Sequence, residues 1–227
     1  MKKYTTFLFD ADDTLYDYRL STAYALKSMF EQCGFAYSDG IQARYGEINR
    51  AAWASYEKGE ISVDDMQKVR FSRLFDEIGV YHDPESFNAG YLYEFGKGIY
   101  LLEGALEICH AIFSRNKHIY IVTNGLVATQ EARAKHSPLN KYITGFFVSQ
   151  IVGHQKPSLE YFRHVFTHIS ASKDEMIIIG DSLTADIAGG NNASIDTCWL
   201  NIHGTQNHTN IKPTYEIHNL RQLQQFI

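Results

Sequence analysis

The sequence predicts an α/β fold: a doubly wound, Rossmann-like parallel sheet with a second, helical cap domain inserted into it. Three observations carry that expectation. Short apolar runs rich in Val, Ile, Phe and Tyr recur along the chain, and each ends in small or polar residues, as strands buried on both faces do. Helical patterns separate the later runs, so the repeating unit is strand then helix. More than a hundred residues part the first run from the second, far more than one crossover requires.

The runs are TTFLF at 5–9, HIYIV at 118–122, GFFVS at 145–149, MIIIG at 176–180 and, as a fifth strand, TCWL at 197–200. Helices are expected over 126–135, 159–169 and 183–192. Residues 21–97 are helical in character: STAYALKSMFEQCG stops at Gly34, IQARYGEINRAAWASYEKG sets Ile41, Tyr45, Ile48, Ala52 and Tyr56 at helical spacing, and VDDMQKVRFSRLFDEIG repeats the pattern. The chain therefore divides into a core domain, 1–16 with 99–227, and a cap domain, 17–98, sitting over the strand ends. From Gly104, GALEICHAIFSR returns the chain to the sheet as a helix.

With 227 residues, 44% of them hydrophobic, the chain can bury a sizeable core. A net charge of −5 argues against a basic surface for duplex nucleic acid or anionic lipid, so an anionic substrate would need local cations. Cys33, Cys109 and Cys198 are odd in number and set in apolar surroundings, which reads as reduced core thiols in a cytoplasmic protein. The acidic cluster after Phe9 cuts off any signal-peptide core, and no later stretch is long enough to span a bilayer. A monomer or homodimer is expected.

Ligands of an open parallel sheet bind beyond the carboxyl ends of its strands. The residues there are Asp10, Asp12, Asp13 and Thr14 after the first run, Thr123, Asn124 and Gly125 after the second, and Asp181, Ser182 and Asp186 after the fourth. One Asp after a strand is usually a turn or cap residue. Carboxylates at two strand ends with Thr-Asn-Gly at a third are not explained that way. Acidic groups converging on one point need a cation, and all-oxygen ligation suits Mg²⁺, which shares itself with substrate phosphate and neutralises charge on a transferring phosphoryl group.

At this point the chain resembles a family, the haloacid dehalogenase superfamily of aspartate-nucleophile phosphotransferases. Its four motifs appear in order as FLFDADDTL, IVTNG, the lysine of GHQKP, and GDSLTAD. The resemblance implies that Asp10 is the nucleophile that forms an aspartyl-phosphate, and that Asp12 protonates the leaving oxygen and then activates water. Thr123 and the Asn124 backbone would hold the phosphate, and Lys156 would offset its charge. Asp10, the Asp12 carbonyl and Asp181 would hold Mg²⁺, with Asp186 supporting that shell. Dehalogenases of the superfamily lack an acid at the position of Asp12, so its presence implies phosphate ester chemistry. Asp13 reads as a solvated turn residue, and Thr14 as a partner of the strand-end loop.

A finer resemblance is to the pyrimidine 5'-nucleotidase branch, through DADDTLYDY, through Trp53, Tyr56, Gly59 and Ile61, and through CWLN at 198–201. It implies a small phosphorylated metabolite as partner, a pyrimidine nucleoside monophosphate such as dUMP, dTMP or UMP. The cap offers Trp53, Tyr56 and Phe71 for stacking, with Arg50 and Arg70 nearby, though aromatics at this spacing also pack helix bundles and Arg70 can equally pair with Asp64, Asp65 or Glu77. Two positions depart from the usual pattern, His154 before the motif lysine and Ser194 where relatives commonly have glycine. Competing readings are a phosphatase or phosphomutase for sugar phosphates or other small metabolites, which shares the cap and all four motifs, and a silent phosphate-binding protein, against which the intact Asp10 and Asp12 argue.

Overall fold

In the computed structural model, which describes residues 2–227, the strands β1 (Thr6–Phe9), β2 (His118–Thr123), β3 (Gly145–Val148), β4 (Met176–Gly180), β5 (Asp196–Leu200) and β6 (Tyr215–Ile217) form one sheet. Its order is β3-β2-β1-β4-β5-β6 and every adjacent pair is parallel. The doubly wound sheet expected of the sequence is therefore present, with β1 at the point where the winding reverses. The chain steps outward from β1 to β3, then returns to the far side of β1 for β4, so the loops leaving β1 and β4 splay apart over a crevice. β6 was not foreseen; three residues are too short for a periodicity to register.

All four residues of β1 are buried because both faces of the sheet are covered. Side chains alternate across it: Phe7 and Phe9 join Ile119, Ile121, Ile177 and Ile179 in one layer, while Leu8 joins Val122 and Ile178 in the other.

Contacts divide the chain into two compact units, one running through Tyr18 and resuming as Ile99–Ile227, the other Arg19–Gly98. The second unit holds four helices, α1 (Tyr18–Gln32), α2 (Asp39–Glu57), α3 (Val63–Ile78) and α4 (Pro84–Lys97). Three carry their own start signals: Ser38, Ser62 and Asp83 each cap a helix by accepting a backbone N–H, and Ser62 forms a reciprocal capping box with Asp65. Gly79, in the left-handed conformation at φ 67°, ends α3. An aromatic seam of Phe30, Tyr45, Phe71, Phe75, Phe87 and Tyr91 fills the bundle.

Around the sheet lie α5 (Ala105–Phe113), α6 (Val127–His136), α7 (Ser149–Val152), α8 (Leu159–Thr167) and α9 (Ala188–Ala193). α5 buries Ile108, Cys109 and Ile112 on one face, and α8 buries Tyr161, Phe162 and Val165 on the other. Where one helix was expected over 183–192, a π-helical turn at Leu183–Ile187 precedes α9. All three thiols are free; Cys109 and Cys198 are buried as expected, whereas Cys33, near the end of α1, is only half-buried and is not a core residue. Among the described residues no helix is long and apolar enough to cross a membrane.

Candidate active site

Asp10 is the first residue beyond β1, and its backbone N–H still donates to Ile179 O at 2.9 Å, so its carboxylate is delivered from a rigid strand end. Lys156 meets it there. The ammonium is 98% buried and donates to three oxygens: Asp10 Oδ1 at 2.6 Å, Asp186 Oδ1 at 2.6 Å and the Val122 carbonyl at 2.7 Å. All three of its donors are thereby used, which fixes the side chain. Its backbone is held as firmly, because the Asn124 side chain accepts from Lys156 N and donates to Lys156 O, both at 2.9 Å. Ser158, the cap of α8, then starts the helix that follows.

Asp186 reaches the site by folding back from the π-helical turn beneath the end of β4. Only glycine at position 180 permits it, since a Cβ there would collide with the Asp186 carboxylate. The second Asp186 oxygen accepts from Ser182 N at 3.1 Å, so both its oxygens are committed. Asp181 stands beside it, its carbonyl held by the Trp199 indole at 2.8 Å. That contact gives the Trp of CWLN a structural task.

Asp10, Asp181 and Asp186 each bring an oxygen within 4.8 Å of the others. Burial, followed by the charges of Asp186, Asp10 and Asp13, pushes Asp181 well above the ordinary carboxylate range. Burial likewise raises Asp10 to about 7, against the opposing pull of Lys156. For Lys156 burial disfavours the charge, but Asp10 and Asp186 outweigh it and keep the ammonium protonated. One lysine thus faces three carboxylates. The donor set, all oxygen, crowded and short of positive charge, fits a hard divalent cation.

On the other side of the site Thr123 ends β2, buried, its Oγ1 accepting from Gly125 N at 2.9 Å and its own O–H left as a donor. Asp12 stands opposite, its backbone bridged to Tyr16 and its side chain 27% exposed. Arg133 Nη2 lies 2.8 Å from Asp12 Oδ1, a charge contact, and the guanidinium rests 4.4 Å from the centre of the Tyr16 ring. Nothing in TQEARAKH singles out Arg133 in the sequence, where it reads as one more helix-surface cation.

The haloacid dehalogenase-like hydrolase model matches residues 4–194 of the chain. The chain belongs to this family. The hydrolase is 39% identical to the HAD-hydrolase YfnB of Bacillus subtilis, over 98% of this chain and 95% of that one. A crystal structure of YfnB bound to magnesium superimposes with a TM-score of 0.93, covering 99% of this chain and 98% of that one. Identity is 35% to the pyrimidine 5'-nucleotidase PynA of Streptococcus pneumoniae, over 97% of this chain and 93% of that one. It is 29% to the pyrimidine 5'-nucleotidase YjjG of Escherichia coli, over 99% and 98%.

The fold brings Asp10, Asp12, Thr123, Asn124, Lys156, Asp181 and Asp186 of this hydrolase to the same end of the sheet. The expectations for Thr14 and Arg70 change, while that for Asp13 holds. Thr14 does not bond to the strand-end loop: it is buried and its hydroxyl has no hydrogen-bond partner among the described residues. Asp13 is an exposed turn residue at φ 54° that accepts from Tyr18 N. His154 is exposed. Ser194 ends α9 at φ 59°, the left-handed conformation that explains a preference for glycine there. In the helical unit Trp53 and Tyr56 pack edge to face, both half-buried, with ring centres 5.7 Å apart. Arg70 pairs with none of Asp64, Asp65 or Glu77. It is 98% buried, donates to the Asn49 and Asn88 side-chain carbonyls, and lies over Phe71 and Tyr91, while Glu77 pairs with Arg44. Its guanidinium is sequestered in the bundle because aromatic faces and neutral amides there outcompete the surface acids expected of it.

Proposed function

We propose that this hydrolase is a Mg²⁺-dependent phosphomonoesterase that works through an aspartyl-phosphate on Asp10, and that its substrates are pyrimidine nucleoside 5'-monophosphates. The observation that carries the chemistry is the Lys156 ammonium bound at once to Asp10 and Asp186 beside Asp181. It keeps a buried nucleophile in place and lowers the repulsion an incoming phosphate would meet. The nucleotide preference is supported by likeness to PynA and YjjG over nearly the full chain.

The positions of the side chains support the roles the resemblance implies. Thr123 O–H and the backbone N–H groups of its loop receive the phosphate oxygens. The Asp10 carboxylate attacks phosphorus, Asp12 gives a proton to the departing oxygen and later takes one from water, and Asp10 is regenerated. Asp10, Asp181 and the Asp12 carbonyl would hold Mg²⁺, with Asp186 behind them, and the ion would supply neutralisation of the phosphoryl charge. Two carboxylates on one short loop share the work because one is tied to Lys156 and the other stands on the more open side.

The test is phosphate release with Mg²⁺ across dUMP, dTMP, UMP, AMP, glucose 1-phosphate and glycerol phosphate, with Asp10→Asn as the blank. Turnover of the pyrimidine nucleotides above the rest, lost in the variant, is the expected result. Turnover of sugar phosphates alone would overturn the substrate class and keep the chemistry.

A further inference from the structure

Two side chains of α6 that the four motifs do not include, Gln130 and Arg133, are almost completely buried and sit three residues apart, hence on one face of the helix. That face is turned to the loop carrying Asp12. A Cβ on Gly125 would come within 2.7 Å of Gln130 Nε2, 3.1 Å of Thr123 Oγ1 and 3.4 Å of Asp12 Oδ2, so the bare backbone of Gly125 is what these three groups surround. Gln130 Nε2 has no hydrogen-bond partner among the described residues. Arg133 touches the other Asp12 oxygen, Oδ1, from the buried side.

The two oxygens of Asp12 are thus unlike. Oδ1 is turned into the protein, in charge contact at 2.8 Å with a guanidinium that the Tyr16 ring backs at 4.4 Å. Oδ2 lies on the side of Gly125 and Thr123, the loop assigned to the phosphate. A guanidinium is costly to bury, and here it is committed to a carboxylate whose side chain is still 27% exposed, which serves orientation better than stability.

From this geometry we infer that Arg133 is a positioning residue for proton transfer: it holds Asp12 by Oδ1 so that Oδ2 is the atom that exchanges the proton. The inference rests on Asp12 being the general acid and base. As the Asp10 carboxylate attacks phosphorus, the bond from phosphorus to the leaving oxygen breaks, its electron pair passes to that oxygen, and the Oδ2 proton moves onto it. The products are the aspartyl-phosphate, the free alcohol and the Asp12 carboxylate. Water then attacks phosphorus, returns a proton to Oδ2 and releases phosphate from Asp10.

The experiment is kcat/KM, which reports the first transfer, with Mg²⁺ for a series of substituted phenyl phosphates and one alkyl phosphate. It compares wild type, Asp12→Asn, Arg133→Met and Arg133→Lys. Leaving groups as good as p-nitrophenolate need no proton; alcohols do. Loss of general acid catalysis on the alkyl ester is expected to reach about 10²-fold or more in Asp12→Asn. Arg133→Met should steepen the leaving-group dependence in the same direction by a smaller factor, and Arg133→Lys should fall between it and wild type. Should the methionine variant fail to fold, the lysine variant alone still must show the steepening. A uniform fall across the series in the Arg133 variants, with Asp12→Asn steep, would overturn the inference and leave Arg133 a structural residue. A gain on the alkyl ester would overturn it too. A flat series in Asp12→Asn would overturn the role of Asp12, and the inference with it.

Discussion

Lys156 in the sheet unit and Arg70 in the helical unit are cations buried almost completely, and the two are satisfied in opposite ways. In the sheet unit the Lys156 ammonium meets two carboxylates and a carbonyl. In the helical unit the Arg70 guanidinium meets two neutral amides and two aromatic faces. A cation among carboxylates at strand ends stores charge for use, because the carboxylates it faces still outnumber it. A cation among amides and rings is complete as it stands. Burial of a charged residue is therefore a poor pointer to function until its partners are known.

The largest expected effect separates the two. Lys156→Met leaves Asp10 and Asp186 facing each other in a buried site, and should cost about 3–5 kcal/mol of stability as well as at least about 10²-fold in kcat. Arg70→Met removes hydrogen bonds to neutral groups only, and should cost about 1–3 kcal/mol while kcat of the folded enzyme stays close to wild type. Chemical denaturation and phosphate release on both variants check this. If Arg70→Met lowers kcat as much as Lys156→Met, the contrast between the two cations is wrong.

A second prediction uses the crowding of the carboxylates. With Asp10 raised to about 7 and Asp181 also raised well above the ordinary carboxylate range, both chiefly by burial, the metal-free folded protein binds more protons than the unfolded chain above about pH 4. Stability of the metal-free form should then fall as pH rises from about 4 through 7, since the bound protons are lost at a cost. Mg²⁺ at the same site should raise the melting temperature more at pH 8 than at pH 5. A pH-independent shift would mean that the ion binds elsewhere.

The smallest effect tests a single backbone angle. Ser194 holds φ 59° at the end of α9, and Ser194→Gly should stabilise the fold by about 1 kcal/mol without touching activity. No change in denaturation midpoint would show that this position is not under strain.

What was legible in the sequence follows from the same contrast. Strand ends of a parallel sheet are marked by composition, so Asp10, Asp12, Thr123 and Asp181 announced themselves through the apolar runs before them. Lys156 is legible only through the resemblance, as the lysine of GHQKP standing third among four motifs in order. The reciprocal pairing of Asn124 with the Lys156 backbone was not legible, since it joins loops 32 residues apart in sequence. Arg133 was invisible for another reason: its burial depends on a ring and a carboxylate 117 and 121 residues earlier, not on any local pattern. Arg70 was misjudged because acids nearby in sequence suggested surface pairs, and helical periodicity alone does not say which face is inside a bundle.

The central claim is that Asp10 carries the phosphoryl group, and the direct measurement is mass spectrometry of the enzyme quenched in acid during turnover of dUMP with Mg²⁺. The account predicts a phosphoryl increment on the peptide containing Asp10, absent from Asp10→Asn, which also releases no phosphate. An Asp10→Asn protein that still turns over, or an increment on a different residue, would contradict it.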